Sequence, residues 1–160
     1  MELTIRHIQE EDNPAIAIVI RSVLEEYGVN KPGTVYTDPT TDKLYELFKQ
    51  PKSRYWVIEC NQEILGGGGI FPTKGLVPNC IELVKLYLSK EARGVGLGKM
   101  LMQKCIDEAT SLGYAQLYLE SLPELDSAIG LYEKLGFTSL EVPLGESGHF
   151  ACDIWMVKDL

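Results

Sequence analysis

Three glycines alternate at positions 94, 96 and 98 between a strand-forming run and an amphipathic helix, and this punctuation constrains the fold more than any other feature of the chain. Upstream, Ile81-Glu82-Leu83-Val84-Lys85-Leu86-Tyr87-Leu88 has the β-branched and aliphatic character of a strand. Downstream, Leu97, Leu101, Cys105, Ala109 and Leu112 recur on one face of a helix. The glycines therefore sit at the helix start, where backbone amides have no intrahelical acceptor and a ligand can approach without meeting a Cβ. With about half a positive charge added by the helix dipole, the segment predicts a main-chain cradle for phosphate.

Two familiar phosphate loops do not fit. A P-loop needs glycine where Arg93 stands and a hydroxyl where Met100 stands. A dinucleotide fingerprint needs a third glycine where Gly94-x-Gly96 is followed by Lys99 and Gly96-x-Gly98 by Leu101.

Arg93-x-x-Gly96-x-Gly98 instead resembles the acyl-CoA signature of the GNAT superfamily of N-acetyltransferases, in its strand-loop-helix setting. Downstream, Ala128-Ile129-Gly130-Leu131-Tyr132-Glu133-Lys134-Leu135-Gly136-Phe137 resembles that family's later helix-to-strand motif. The resemblance implies an α/β fold, a mixed sheet of about seven mostly antiparallel strands with helices on both faces, whose fourth and fifth strands splay apart. It implies acetyl-CoA as co-substrate, with its pyrophosphate on Arg93, Gly94, Val95, Gly96, Leu97, Gly98 and Lys99 and its pantetheine along the backbone of Leu86, Tyr87 and Leu88. The acetyl group would pass directly to an amine in a ternary complex. A noncatalytic acyl-CoA-binding module on the same fold is the alternative. One departure stands out: Leu125 occupies a position where many members carry asparagine.

Acyl transfer to an amine needs a neutral nucleophile, and an alkylamine with a pKa of about 10.4 is mostly protonated near neutrality. Glu82 lies eleven residues before Arg93, a spacing similar to that of the base in the family's histone-acetylating branch. On a regular strand it would share a face with Val84, Leu86 and Leu88, whose apolar character would raise its pKa. A carboxylate paired with a lysine or arginine at a strand end is the plainer reading. Tyr132 matches the tyrosine that the family uses to protonate the departing thiolate, and is otherwise a core aromatic. Tyr27 and His149 are the candidates for the acceptor pocket, His149 within a glycine-bearing loop from Leu144. Triad chemistry among His149, Cys152 and Asp153 is disfavoured because neighbours on a strand face opposite ways.

The remaining pattern suits one domain over residues 1–160. A strand at Leu3 to His7 precedes a helix opened by Asn13-Pro14 and stopped at Gly28; a long loop runs from Val29 to Thr41. A short helix ends at Pro51, and a hairpin turns at Asn61-Gln62, its second arm interrupted by Gly66 to Gly69. A helix near Asp126 to Leu135 is followed by strands expected near Phe137–Val142 and Phe150–Val157. The net charge of −8 argues against nucleic acid, and no apolar run is long enough for a bilayer. Four scattered cysteines, expected within strands or a helix, and two histidines offer no metal cluster. A small-molecule or peptide amine is the expected partner, a homodimer is compatible with the reading, and the expected compartment is the cytoplasm.

Overall fold

The computed structural model describes residues 2–160. Its strands are β1 (Leu3–His7), β2 (Arg54–Cys60), β3 (Glu63–Phe71), β4 (Cys80–Leu88), β5 (Gln116–Ser121), β6 (Thr138–Leu140) and β7 (Ile154–Asp159). They form one seven-stranded sheet in the order β1-β2-β3-β4-β5-β7-β6. All neighbours are antiparallel except β4 and β5, which run parallel around the helix that joins them. Asn61 and Gln62, both at positive φ, close the β2–β3 hairpin with the twist that a two-residue turn requires.

Helices cover both faces, as the mixed strand and helix pattern implies. On one face α1 (Asn13–Glu26) and the single turn α2 (Leu44–Leu47) pack over Tyr55 and Val57; on the other, α3 (Leu97–Ser111) and α4 (Asp126–Lys134) pack over Trp56 and Ile58. The alternation along β2 feeds both cores. Ile16, Ile20 and Leu24 are fully buried on one stripe of α1, each worth about 1.5–3 kcal/mol of transfer free energy.

The glycine run of β3 is a close-approach device. A Cβ on Gly67 would stand 2.7 Å from Cε1 of Tyr55, and one on Gly69 would stand 2.1 Å from the Arg54 carbonyl oxygen and 2.9 Å from Cδ2 of Tyr55. The Tyr55 ring lies in the lane these glycines leave open, and its hydroxyl donates to the Lys85 carbonyl at 2.8 Å in the interior. That carbonyl belongs to a bulge. Gly67 pairs with Tyr87 but Gly69 with Val84, so β4 carries an extra residue, and Lys85 takes φ +51°. A non-glycine residue in that region costs on the order of 1–3 kcal/mol.

The bulge overturns one expectation. Leu86 and Leu88 do not share Glu82's face: they join the α3 core, whereas Val84 and Tyr87 join the α1 core. An extra residue reverses the alternation that a regular strand would keep. The last strands are also shorter than expected. β6 ends at Leu140, ahead of Pro143, which has no amide to donate to a ladder. β7 begins at Ile154 because the Ala151 amide donates to the Gly33 carbonyl (2.9 Å) and the Cys152 amide to the His149 carbonyl (3.1 Å), forming a turn. Phe150, left outside the strand, places its ring over the face of Gly33.

Two glycine substitutions separate close approach from mere flexibility. Gly69→Ala is expected to lower stability by roughly 1–3 kcal/mol by overpacking. Gly130→Ala, within α4 with no atom within 4 Å of the added methyl, should raise it by about 0.8–1 kcal/mol. Urea midpoints at constant m-value read both.

Candidate active site

β4 and β5 pair only at Cys80–Glu82 with Gln116–Tyr118, and beyond this point they diverge. The gap opens a cleft of about 620 Å³ that extends from the glycine segment to the loop bearing His149. At its first end, Gly94 and Gly96 hold φ of +81° and +85°, and Gly96 is the N-cap of α3. A Cβ on either would project into open space. Gly98 is different: its Cβ would lie 3.3 Å from Leu88, so this glycine permits α3 to pack against β4. Among the described residues, no acceptor in the protein engages the amides of residues 94–99; the helix bonds begin with Met100 to Gly96. Six amide donors are thus left without a protein acceptor where the α3 dipole is positive.

The side chains of this segment divide their tasks. Arg93 lines the cleft, but its guanidinium also spans Glu26 at 2.7 and 2.8 Å, the Leu88 carbonyl at 3.1 Å through two nitrogens, and the Tyr27 hydroxyl at 3.2 Å. It fastens the end of α1 to the end of β4, and the Leu88 carbonyl is thereby already engaged. Tyr27 accepts from Arg93 and lines the same cleft as His149. Val95 is 69% exposed, Leu97 is buried and Lys99 lines the cleft.

Glu82 is only 3% exposed and accepts a hydrogen bond from the Thr73 hydroxyl at 2.6 Å through one oxygen. Among the described residues, no lysine or arginine is within ion-pair distance of it. Burial, reinforced by the charge of Glu120, pushes its pKa up to about 8, against the smaller opposing effects of Thr73 and Lys85. Tyr132, on α4, lines the cleft from the other side and packs against Phe137 with ring centroids 5.8 Å apart. Burial raises its pKa well above the ordinary phenol value, so it keeps its proton at neutral pH, and its hydroxyl has no partner among the described residues.

At the far end of the cleft the structure assembles residues from three separate segments. His149 Nε2 lies 2.8 Å from Asp38 Oδ2, and Lys85 Nζ lies 3.3 Å from the same oxygen. Asp38 Oδ1 accepts from the Thr40 amide (2.9 Å) and hydroxyl (2.7 Å). Although burial works against its charge, His149, Lys85 and Thr40 hold the Asp38 acid far below the usual carboxylate range. Asp38 is therefore ionised, and His149 donates to it from Nε2. Glu120 accepts from the hydroxyls of Tyr118 at 2.7 Å and of Ser147. Sequence reasoning missed Lys85 and Asp38: the bulge that aims Lys85 has no local signature, and Asp38 reads as an ordinary Asp-Pro turn. Cys152 also lines the cleft from outside any strand, correcting the expectation for it. Burial pushes its thiol up to about 12, which leaves it protonated and a poor nucleophile.

Comparison with known proteins accords with this geometry. The model of the acetyltransferase (GNAT) family matches residues 20–137. The chain is 42% identical over 156 residues to the uncharacterized N-acetyltransferase YjgM of Escherichia coli (strain K12), a match covering 97% of this chain and 93% of that one. A GNAT-family acetyltransferase from Staphylococcus aureus Mu50 superposes with a TM-score of 0.88 at 19% identity over 99% of each chain. A phosphinothricin acetyltransferase from Sinorhizobium meliloti, solved in complex with AcCoA, superposes with a TM-score of 0.76 at 23% identity over 100% of this chain and 89% of its own. These two structural likenesses establish the fold. By the family match and the close relative, the chain belongs to the GNAT family of acetyltransferases.

The buried acid has a consequence for stability. Glu82 titrates near 4.5 when unfolded and near 8 when folded, so the unfolded chain releases its proton first. The folded state is then penalised by about 1.4 kcal/mol per pH unit as pH rises through that window, and not below it. Glu82→Gln should therefore gain stability over the wild type between pH 5 and pH 8. Denaturation midpoints that differ by a constant amount across this range would contradict the assignment.

Proposed function

We propose that this chain transfers an acetyl group from acetyl-CoA directly to an amine, with both substrates bound in the cleft. The observation that carries the reading is the set of six unengaged amides at residues 94–99, opening onto a split between strands that leads to Glu82. The cradle fits a pyrophosphate: its donors are main-chain, and Gly94 and Gly96 leave the space that side chains would fill. Past Glu82 the β5-facing edge of β4 has no strand partner, which leaves backbone groups near Leu86 and Tyr87 for an extended pantetheine arm. The thioester supplies an activated acyl group, so no protein nucleophile is required, in agreement with the inert Cys152.

Glu82 accepts the proton that the acceptor ammonium must lose, through the oxygen that Thr73 leaves free. A base with a pKa near 8 is strong enough to compete for an ammonium proton yet ionised in a useful fraction near neutrality. Tyr132 returns a proton at the other side of the cleft, to the thiolate that departs. The acceptor is a small-molecule or peptide amine. Four unpaired cysteines, three of them buried, suit the cytoplasm, where thiols stay reduced.

Release of free thiol from acetyl-CoA in the presence of an amine panel tests this function, and binding without turnover would favour a sensor instead. Glu82→Gln is expected to lower kcat by roughly 10²- to 10⁴-fold with acetyl-CoA affinity little changed. In the wild type kcat/KM should climb with pH through about 8, the value assigned to Glu82, and this limb should vanish in the variant. Wild-type turnover in Glu82→Gln would move the proton to water or a backbone carbonyl.

A further inference from the structure

The far end of the cleft contains a cation that the reaction above does not use. Lys85 is placed there by its bulge and its positive φ, with only 5% of its side chain exposed, and it lines the cavity. An ammonium carries three N–H donors. Among the described residues, Lys85 Nζ has a single partner, Asp38 Oδ2 at 3.3 Å. Two donors are left without an acceptor in a place that water reaches poorly. Asp38 cannot serve an incoming cation in turn, because both its oxygens already accept from Lys85, His149 and Thr40. Its role is to neutralise and aim its two neighbours.

Resting on the acetyl-transfer reading, we propose that the acceptor is a small amino acid with a free carboxylate, which Lys85 holds while the amine lies at Glu82. Glu82 keeps one oxygen without a protein partner, so the two groups offer complementary ends to a zwitterion. Lys85 and Glu82 line the same cleft from one strand, and the Lys85 charge is felt at Glu82, so the two ends of a small zwitterion can be met together. Glu120, which accepts from Tyr118 and Ser147, adds negative potential felt at Glu82 that favours an ammonium there. His149, oriented through Nε2 by Asp38, borders the carboxylate site and leaves Nδ1 without a protein partner. Peptide termini and simple amines lack a carboxylate beside the amine, so Lys85 selects against them by keeping its donors beyond the Asp38 contact unsatisfied.

Thiol release is measured with the common L-amino acids, each beside its carboxamide, after calorimetry has established acetyl-CoA binding. For at least one amino acid, kcat/KM should exceed that of its carboxamide by roughly 10- to 100-fold, the loss expected when a charge-assisted hydrogen bond has no partner. Lys85→Met should reduce that ratio to within a few-fold by lowering turnover of the acid more than that of the amide, and Lys85→Arg should retain the preference. Equal use of acids and amides by the wild type, or a preference that survives in Lys85→Met, would overturn the proposal and leave acetyl transfer standing. The wild-type ratio decides even if Lys85→Met fails to fold. If acetyl-CoA binds but no amine of either kind accelerates thiol release, both readings fall together; if acetyl-CoA does not bind at all, the acetyl-transfer reading fails first.

Discussion

A buried hydrogen bond from the Tyr55 hydroxyl to the Lys85 carbonyl underlies the architecture of the cleft. It satisfies the carbonyl that the β4 bulge turns away from the ladder, where an unpaired group would cost about 1–3 kcal/mol. The bulge redirects β4. Ahead of it, Glu82 pairs with Tyr118 in a parallel ladder; after it, the strands have separated, and Leu86 and Leu88 face α3. Tyr55 can reach that carbonyl only because Gly67 and Gly69 leave its ring a lane across β3. One aromatic ring, two missing side chains and one strained lysine therefore act as a unit.

The same unit positions the chemistry. Glu82 lies buried there with the Thr73 hydroxyl as its hydrogen-bond donor, and burial, with the Glu120 charge, raises its pKa to about 8. The unit also aims Lys85 across the cleft toward Asp38, which the long loop of residues 29–42 brings in. That loop is well built: Thr34 and Asp38 cap successive 3₁₀ turns, and Thr41 donates to the Val35 carbonyl at 2.8 Å. The loop of residues 144–152 meets it through Gly33 and Ala151 and through Asp38 and His149. The two loops close the end of the cleft opposite the glycine cradle.

Much of this was legible in the chain. The glycines at 94, 96 and 98 declared a strand-to-helix junction with free amides, and the helical stripe from Leu97 to Ala109 placed α3. Asn61-Gln62 marked the hairpin. Glu82 and Tyr132 were reached through spacing and family likeness, and the structure brings both to the cleft walls. What escaped the sequence has a common cause: it depends on irregular backbone. A bulge changes which face every later residue of a strand occupies, and its determinants, Tyr55 and the β3 glycines, lie in other strands. Asp38 and Lys85 are 47 positions apart and meet only through the folded loop. Phe150 and Cys152 were expected on a strand because their hydrophobicity does not reveal that the neighbouring amides are engaged by Gly33 and His149.

The central claim is that backbone donors at the start of α3, next to a split between β4 and β5, receive acetyl-CoA. Residue-resolved hydrogen exchange with and without acetyl-CoA addresses it most directly. The account predicts strong added protection at the amides of residues 94–99, extending along β4 through Leu86 and Tyr87, with little change along β1 and β2. Protection confined elsewhere, or tight binding that leaves residues 94–99 exchanging as in the free protein, would contradict it.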